Sequence, residues 1–213
     1  MKTSNKKTFF GRIKARPIPD FKSQNLKKFL SKYKVTKALF KKKRIIIEIG
    51  FGMGEHLIYQ AKKFKQKTFI GIEPFINGQS NLAWLCNTNK LKNIYIYPGI
   101  FDNFVKKFKK FSFDEMFILF PDPWPKKRHH KRRLINNDFI SIILKHAKKK
   151  AKVHFTTDNN DYFTQTKDLL KNLDKNKSFK LNKQIRKLNF KTKYHLRAER
   201  LKNRINSLEI IIH

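Results

Sequence analysis

The first chemistry legible in this sequence lies in seven residues, Glu48-Ile49-Gly50-Phe51-Gly52-Met53-Gly54. An acid followed by alternate glycines makes a turn whose backbone a ligand can approach closely, because no side chain stands in the way. The spacing is G-x-G-x-G, not the G-x-G-x-x-G of dinucleotide sites, and the early third glycine leaves less room for a pyrophosphate. Gly50, Gly52 and Gly54 therefore suit a nucleoside or amino-acid moiety that carries no phosphates. Glu73, 23 residues after Gly50, stands where an acid accepts hydrogen bonds from both hydroxyls of a ribose. Together these features read as a site for S-adenosyl-L-methionine, with Glu48 beside it. The alternative is a Gly-rich turn next to a solvated Glu.

A second group of residues is Pro121-Asp122-Pro123-Trp124-Pro125, followed by Lys126-Lys127-Arg128-His129-His130-Lys131-Arg132-Arg133. Three prolines in five residues stiffen a loop and fix where Asp122 points. The eight positions behind it are all Lys, Arg or His, and they hold three of the chain's ten Arg. Such a run is either a solvated face or a loop that grips phosphates; the Arg clustering favours the second. His129 and His130 have no acidic neighbours in sequence, so a metal site is not expected. Thr157-Asp158 places another acid at the end of a later strand. Trp124 is expected in the core, with a lid or a stacking surface as the alternatives.

These residues need elements to position them. Residues 44–50 form a continuous β-branched run, as a strand buried on both faces would. The expected elements after it are a helix over 55–65, a strand over 68–73, a helix over 77–90, and strands over 93–97 and 115–120. A helix over 138–150, a strand over 152–157 and a helix over 162–173 follow. Residues 179–185 and 207–212 supply two more strands around a polar segment, 192–206. Leu26, Phe29, Leu30 and Tyr33 recur at helical spacing, so a helix over 21–33 precedes the first strand. Strands alternating with helices predict an α/β fold with a largely parallel sheet, its ligand beyond the carboxyl ends of the strands. Residues 1–20, with six Lys/Arg and little periodicity, read as a flexible basic arm before a single domain over 21–213.

Composition bounds the partners. Lys and Arg number 51 against 15 acids, a net charge of +36, which points to a polyanion such as RNA. Lys, Asn, Ile and Phe all have A/T-rich codons and make up nearly half of the chain, so part of that charge is codon bias. No stretch reaches the roughly 18 apolar residues of a membrane span, and the basic N-terminus lacks the apolar region of a secretory signal. The lone cysteine, Cys86, excludes an internal disulfide and suits a reducing cytoplasm.

The string 48–54, Pro121-Asp122-Pro123-Trp124 with its basic run, Thr157-Asp158, and Thr192-Lys193-Tyr194-His195 with Arg197 resemble the bacterial tRNA (guanine-N7-)-methyltransferase family. The resemblance covers residues 40–213; the glycines alone indicate only a methyltransferase, whereas the Pro-Asp-Pro-Trp string with a basic cluster is specific. It implies a class I methyltransferase, Rossmann-like, with a mostly parallel seven-stranded sheet and helices on both faces. It also implies transfer of a methyl from S-adenosyl-L-methionine to N7 of a guanine in the tRNA variable loop. Glu48, Gly50, Gly52, Gly54 and Glu73 would then bind the cofactor, and Asp122 would be the catalytic carboxylate, also near the cofactor. Lys126, Asp158, Thr192, Lys193, Tyr194 and His195 would meet the substrate, and Arg128, His129, His130, Lys131, Arg132 and Arg133 the RNA. Two positions depart from the family: Ile100 where an acid or amide is usual near adenine, and His195 where Glu is usual. The competing readings are a non-catalytic RNA-binding protein that retains the fold, and a methyltransferase of another RNA. No membrane and no metal are expected, and the protein would be a monomer or a homodimer.

Overall fold

Strand β1 (Ile45–Ile49) is buried at every position, Glu48 included, as its apolar run requires. The computed structural model describes residues 11, 13, 14, 17–42, 44–173, 178–182 and 190–213. In it β1 joins β2 (Thr68–Ile72), β3 (Ile94–Tyr97), β4 (Phe113–Leu119), β5 (Ala147–Thr157), β6 (Phe179–Asn182) and β7 (Asn206–Ile212). The sheet order is β3-β2-β1-β4-β5-β7-β6. Pairs among the first five strands are parallel, and β7 enters antiparallel between β5 and β6. The chain reverses its direction across the sheet between β1 and β4, which makes the carboxyl end of β1 the switch point where a ligand crevice opens. The Gly-rich turn leaves β1 there.

Two apolar layers hold the helices against the sheet. Leu26 and Phe29 of α1 (Asp20–Tyr33), Leu57 and Ala61 of α2 (Glu55–Lys63), and Leu82 and Cys86 of α3 (Ile76–Thr88) pack with Ile46, Phe69 and Phe117 on one face. On the other, Phe101 and Phe104 of α4 (Phe101–Lys107), Ile140 and Ile143 of α5 (Asn137–His146), and Tyr162 and Leu170 of α6 (Asn160–Leu173) pack with Ile47, Met116 and Val153. One register row of the first face is polar at both ends: Glu48 on β1, Phe117 on β4, His154 on β5 and Glu209 on β7. The His154 ring stacks on Phe117 with centroids 4.6 Å apart, and its Nε2 lies 2.9 Å from Glu115 Oε1.

The structure alters three expectations. The helix expected to reach residue 150 ends at His146, because Ala147 pairs with Phe113 and so starts β5. His146 seals that end by stacking on Phe111, 4.0 Å away, with Nδ1 2.9 Å from the Phe111 carbonyl. The polar segment 192–206 contains a helix, α7 (Lys193–Arg200), in which only Ala198 is buried. The short α4 was also not expected, although Phe101, Phe104 and Phe108 recur at helical spacing and are buried. Of the basic arm, residues 1–10, 12, 15 and 16 lie outside the described residues, as do 183–185 of the strand expected over 179–185. Within the arm, the Ile13 carbonyl accepts a hydrogen bond from the Ile76 N–H at the start of α3.

Candidate functional site

The turn after β1 is built from three left-handed glycines, with φ of 72° at Gly50, 54° at Gly52 and 82° at Gly54. Gly54 also caps α2, and a Cβ there would sit 2.8 Å from the Leu82 side chain, so glycine is required twice over. A glycine that sequence reasoning missed completes the packing. Gly78, buried in α3, presents bare backbone to the turn, and a Cβ on it would lie 1.9 Å from the Gly52 carbonyl oxygen. A glycine inside a helical run was the available signal.

Glu73 follows β2 and binds the turn directly. Its Oε2 accepts from the Gly52 N–H at 2.8 Å and its Oε1 from the Phe75 N–H at 3.0 Å. Burial lifts the Glu73 carboxyl above its ordinary pKa against the opposing pull of those two N–H groups, and the Asp122 and Glu48 charges add to the rise. Glu48 is buried, with Oε2 2.8 Å from His56 Nδ1. Asp122 is exposed on the rim, yet partial desolvation by the surrounding chain raises its carboxyl pKa too. Three carboxylates thus surround the Gly-rich turn, where they would hold or meet positive charge.

The loop that carries Asp122 is strained at both shoulders, since Phe120 (φ 50°) and Trp124 (φ 46°) are left-handed without being glycine. Its anchor is Arg133. This side chain is buried; Nε donates to the Pro123 carbonyl at 2.8 Å, Nη2 to Asp161 at 2.5 Å and Nη1 to Gln165. The guanidinium also lies over the Tyr162 ring and holds the Asp161 carboxyl below the usual range. Arg133 is therefore removed from the expected RNA-contacting set: it fastens the loop to α6 and has no exposed face to offer a phosphate. Trp124 is likewise not core but half-buried, edge-on to His129 and under the Arg132 guanidinium at 5.0 Å. The remaining basic residues fall on a 3-10 helix (Lys127–Arg132) that has no buried residue. Lys126 caps it, exposed, as are Arg128 and Lys131; His129 and His130 are half-buried. Desolvation and the cations Arg132, Arg128, Lys126 and Lys131 push the His129 pKa down. His130 Nε2 stands 3.5 Å from Asp161 Oδ2.

Helix α7 faces the turn. Thr192 caps it, its Oγ1 accepting from the His195 N–H at 3.2 Å, while the Lys193 N–H donates to Glu55 Oε2 at 3.1 Å. Tyr194 lies over Gly52, where a Cβ would be 3.7 Å from its ring, and half its surface is exposed. Between the turn and α7 opens a cavity of about 840 Å³, lined by Glu48, Gly50, His56, Phe75, Thr192 and Tyr194 among others. The site thus brings together Glu48, the three glycines, Glu73, Asp122 and Tyr194. Asp158 follows β5, the neighbour of β4, with Oδ2 3.2 Å from Asn203 Nδ2. His195 sets its ring edge to Phe120 and lies 3.5 Å from Glu199, so a carboxylate stands one helical turn beyond the position where the family has Glu. Ile100 caps α4 and brings no polar group to the rim; Asp102 is exposed. Among the described residues no group of three or more His, Cys, Asp or Glu is placed to hold a metal, and no helix is long and apolar enough to cross a membrane.

A sheet in this strand order, with a Gly-rich turn at its switch point, an acid near the end of β1 and another just after β2, defines a class I methyltransferase. Residues 42–208 match the family model described as "Putative methyltransferase". The chain is 33% identical over 189 residues to the tRNA (guanine-N(7)-)-methyltransferase of Wolbachia pipientis wMel, covering 85% of this chain and 81% of that protein. It is 39% identical over 127 residues to a bifunctional methyltransferase of Rickettsia bellii, covering 60% of this chain but only 23% of that longer protein. In fold it is similar to the plantazolicin methyltransferase in complex with SAH, with a TM-score of 0.53, 15% identity, and coverage of 91% and 87% of the two chains. The chain belongs to the tRNA (guanine-N(7)-)-methyltransferase family.

Proposed function

We propose that this protein transfers a methyl group from S-adenosyl-L-methionine to N7 of a guanine in tRNA, in the variable loop. The observation that carries the reading is the gathering of Glu48, Glu73 and Asp122 around the Gly-rich turn, with the basic 3-10 helix on the same rim. The backbone cradle at Gly52 and the cavity volume suit a phosphate-free nucleoside joined to an amino acid. When bound, the cofactor supplies an electrophilic methyl on a sulfonium. Glu73 would accept from the ribose hydroxyls, and Glu48 would face the α-ammonium group.

Guanine N7 presents an in-plane lone pair and no proton, so no residue has to act as a general base. The purine gains positive charge as the new bond forms, and what the protein contributes is alignment and negative potential. Asp122 supplies that potential. Asp158 would accept from guanine N1–H and N2–H, donors that adenine does not offer in that pattern. Lys126, Arg128, Lys131 and Arg132 would meet the RNA backbone, and Thr192, Lys193, Tyr194 and His195 would close over the base. We read residues 21–213 as the methyltransferase domain and 1–20 as a basic arm that adds affinity for RNA, in a cytoplasmic monomer or homodimer.

The test is mass spectrometry of tRNA nucleosides after incubation with the protein and labelled cofactor. Label in N7-methylguanosine is the expected result. Cofactor binding without label in any tRNA would support the non-catalytic RNA-binding reading, and label confined to another RNA would move the substrate.

A further inference from the structure

Glu48 is a carboxylate on the central strand, 3% exposed, and a buried charge of this kind needs a partner that keeps it ionised and oriented. Among the described residues its hydrogen-bond partner is His56, itself 2% exposed on the first turns of α2, with Nδ1 2.8 Å from Glu48 Oε2. The far nitrogen of the same ring, Nε2, lies 3.1 Å from Gln60 Nε2, one helical turn on. With the Gln60 amide in this orientation its NH2 donates, so Nε2 of His56 accepts and the ring proton on Nδ1 faces Glu48. The order is therefore Gln60 N–H to His56 Nε2, then His56 Nδ1–H to Glu48. The ring cannot turn out of this line, because it is wedged edge-on against Phe117, 4.7 Å between centroids, with Phe190 on another side. Both Glu48 and His56 border the cavity.

We propose that His56 is a positioning residue for cofactor binding: held as the neutral Nδ1–H tautomer by Gln60, it fixes Glu48 as an anion turned to the α-ammonium end of S-adenosyl-L-methionine. A neutral donor orients the carboxylate without cancelling its charge, whereas an imidazolium would compete with the ligand's own cation. For metal-ligating side chains, removing the hydrogen-bonded partner behind the ligand changes affinity by about 10- to 100-fold, and an effect of that order is expected here. The inference rests on the cofactor reading above, and its test separates the two.

Calorimetry on the full chain would compare S-adenosylhomocysteine, which carries the ammonium, with methylthioadenosine, which lacks it. His56→Phe fills the space but cannot donate, and should weaken S-adenosylhomocysteine about tenfold or more while leaving methylthioadenosine within about twofold. His56→Asn returns an N–H near Nδ1 and should recover most of the loss. Gln60→Glu leaves His56 in place but sets an acceptor in place of the donor at Nε2, so the ring proton is no longer reserved for Glu48; it should also weaken S-adenosylhomocysteine selectively, and it keeps the test open should His56→Phe not fold. Wild-type affinity in both His56→Phe and Gln60→Glu, or equal loss of both ligands, would overturn the role given to His56. A wild-type protein that bound neither ligand would overturn the cofactor reading, and this inference with it.

Discussion

Asp122 stands on the rim between two prolines, and desolvation there sets its carboxyl pKa above that of an ordinary aspartate. The carboxylate form is the one that favours a purine gaining positive charge, so the rate should fall as pH drops through this raised pKa. The acid limb of a single-turnover profile should accordingly begin at higher pH than an unperturbed Asp would give. Asp122→Asn keeps the shape and removes the charge. It should slow methylation by about 10²–10³, the usual cost of one lost electrostatic contact, abolish that acid limb, and leave tRNA affinity within a few-fold. A mutant at the wild-type rate would leave Asp122 a turn residue, with Asp158 next to test. Gly78 makes a steric rather than an electrostatic prediction. Because a methyl group there would collide with the Gly52 carbonyl, Gly78→Ala should displace the Gly-rich turn and weaken S-adenosylhomocysteine at least tenfold by calorimetry. Unchanged binding would mean that α3 can slide away at little cost.

At the scale of elements, the loop after β4 and helix α7 form two walls of the site, the loop held by Arg133 and α7 by the Glu55 carboxylate that accepts from the Lys193 N–H. Arg133 ties the loop to α6 through Pro123, Asp161 and Gln165. Arg133→Ala should lower unfolding stability by about 2–3 kcal/mol, the range for losing hydrogen bonds made by a buried charged group, measured by denaturant titration. Arg128→Ala, on the exposed 3-10 helix, should leave stability within about 0.5 kcal/mol. Nothing local in Lys126 to Arg133 marks the eighth basic residue as the buried one. Its side-chain partners lie 28 and 32 positions away, and only the fold brings them together. The same is true of α7: apart from Ala198 it buries nothing, its amphipathic pattern runs over only eight mostly polar and charged residues, and its Thr192 cap is one hydroxyl in a polar stretch. What was legible was what is coded locally. The isoleucine run of β1, the glycines behind it and the Pro-Asp-Pro-Trp loop each declare themselves within a few residues, and the alternation of strand and helix then implied a largely parallel sheet, though not its strand order. The end of α5 was misread because lysines at 148–150 are good helix formers, while Ala147 is claimed by its ladder partner Phe113.

The whole molecule carries +36, far more than a handful of phosphate contacts requires, and much of that excess follows from a Lys-rich composition. The structure makes it possible to separate binding charge from background. Each phosphate neutralised by a Lys or Arg releases condensed counterions, so log K against log salt falls by about 0.7–0.9 per contact, whatever the RNA sequence. A charge that is merely solvated on another face changes the net charge but adds no contact. Arg128 and Lys131 are exposed on the rim beside the site, whereas Arg133 is enclosed. Replacing Arg128 and Lys131 together with Ala should therefore flatten the salt dependence of tRNA affinity by about 1.4–1.8 in slope, with no loss of stability. Arg133→Ala removes one charge from the same run yet should leave the slope unchanged. A third variant, two exposed lysines at 149 and 150, at the amino end of β5 and opposite the site, serves as the reference for background charge. If the rim pair and this distant pair lower the slope equally, tRNA is held by diffuse charge and the basic helix has no special part. If only the rim pair does so, the clustered arginines seen in the sequence are where the RNA backbone is gripped, and the lysines elsewhere reflect composition.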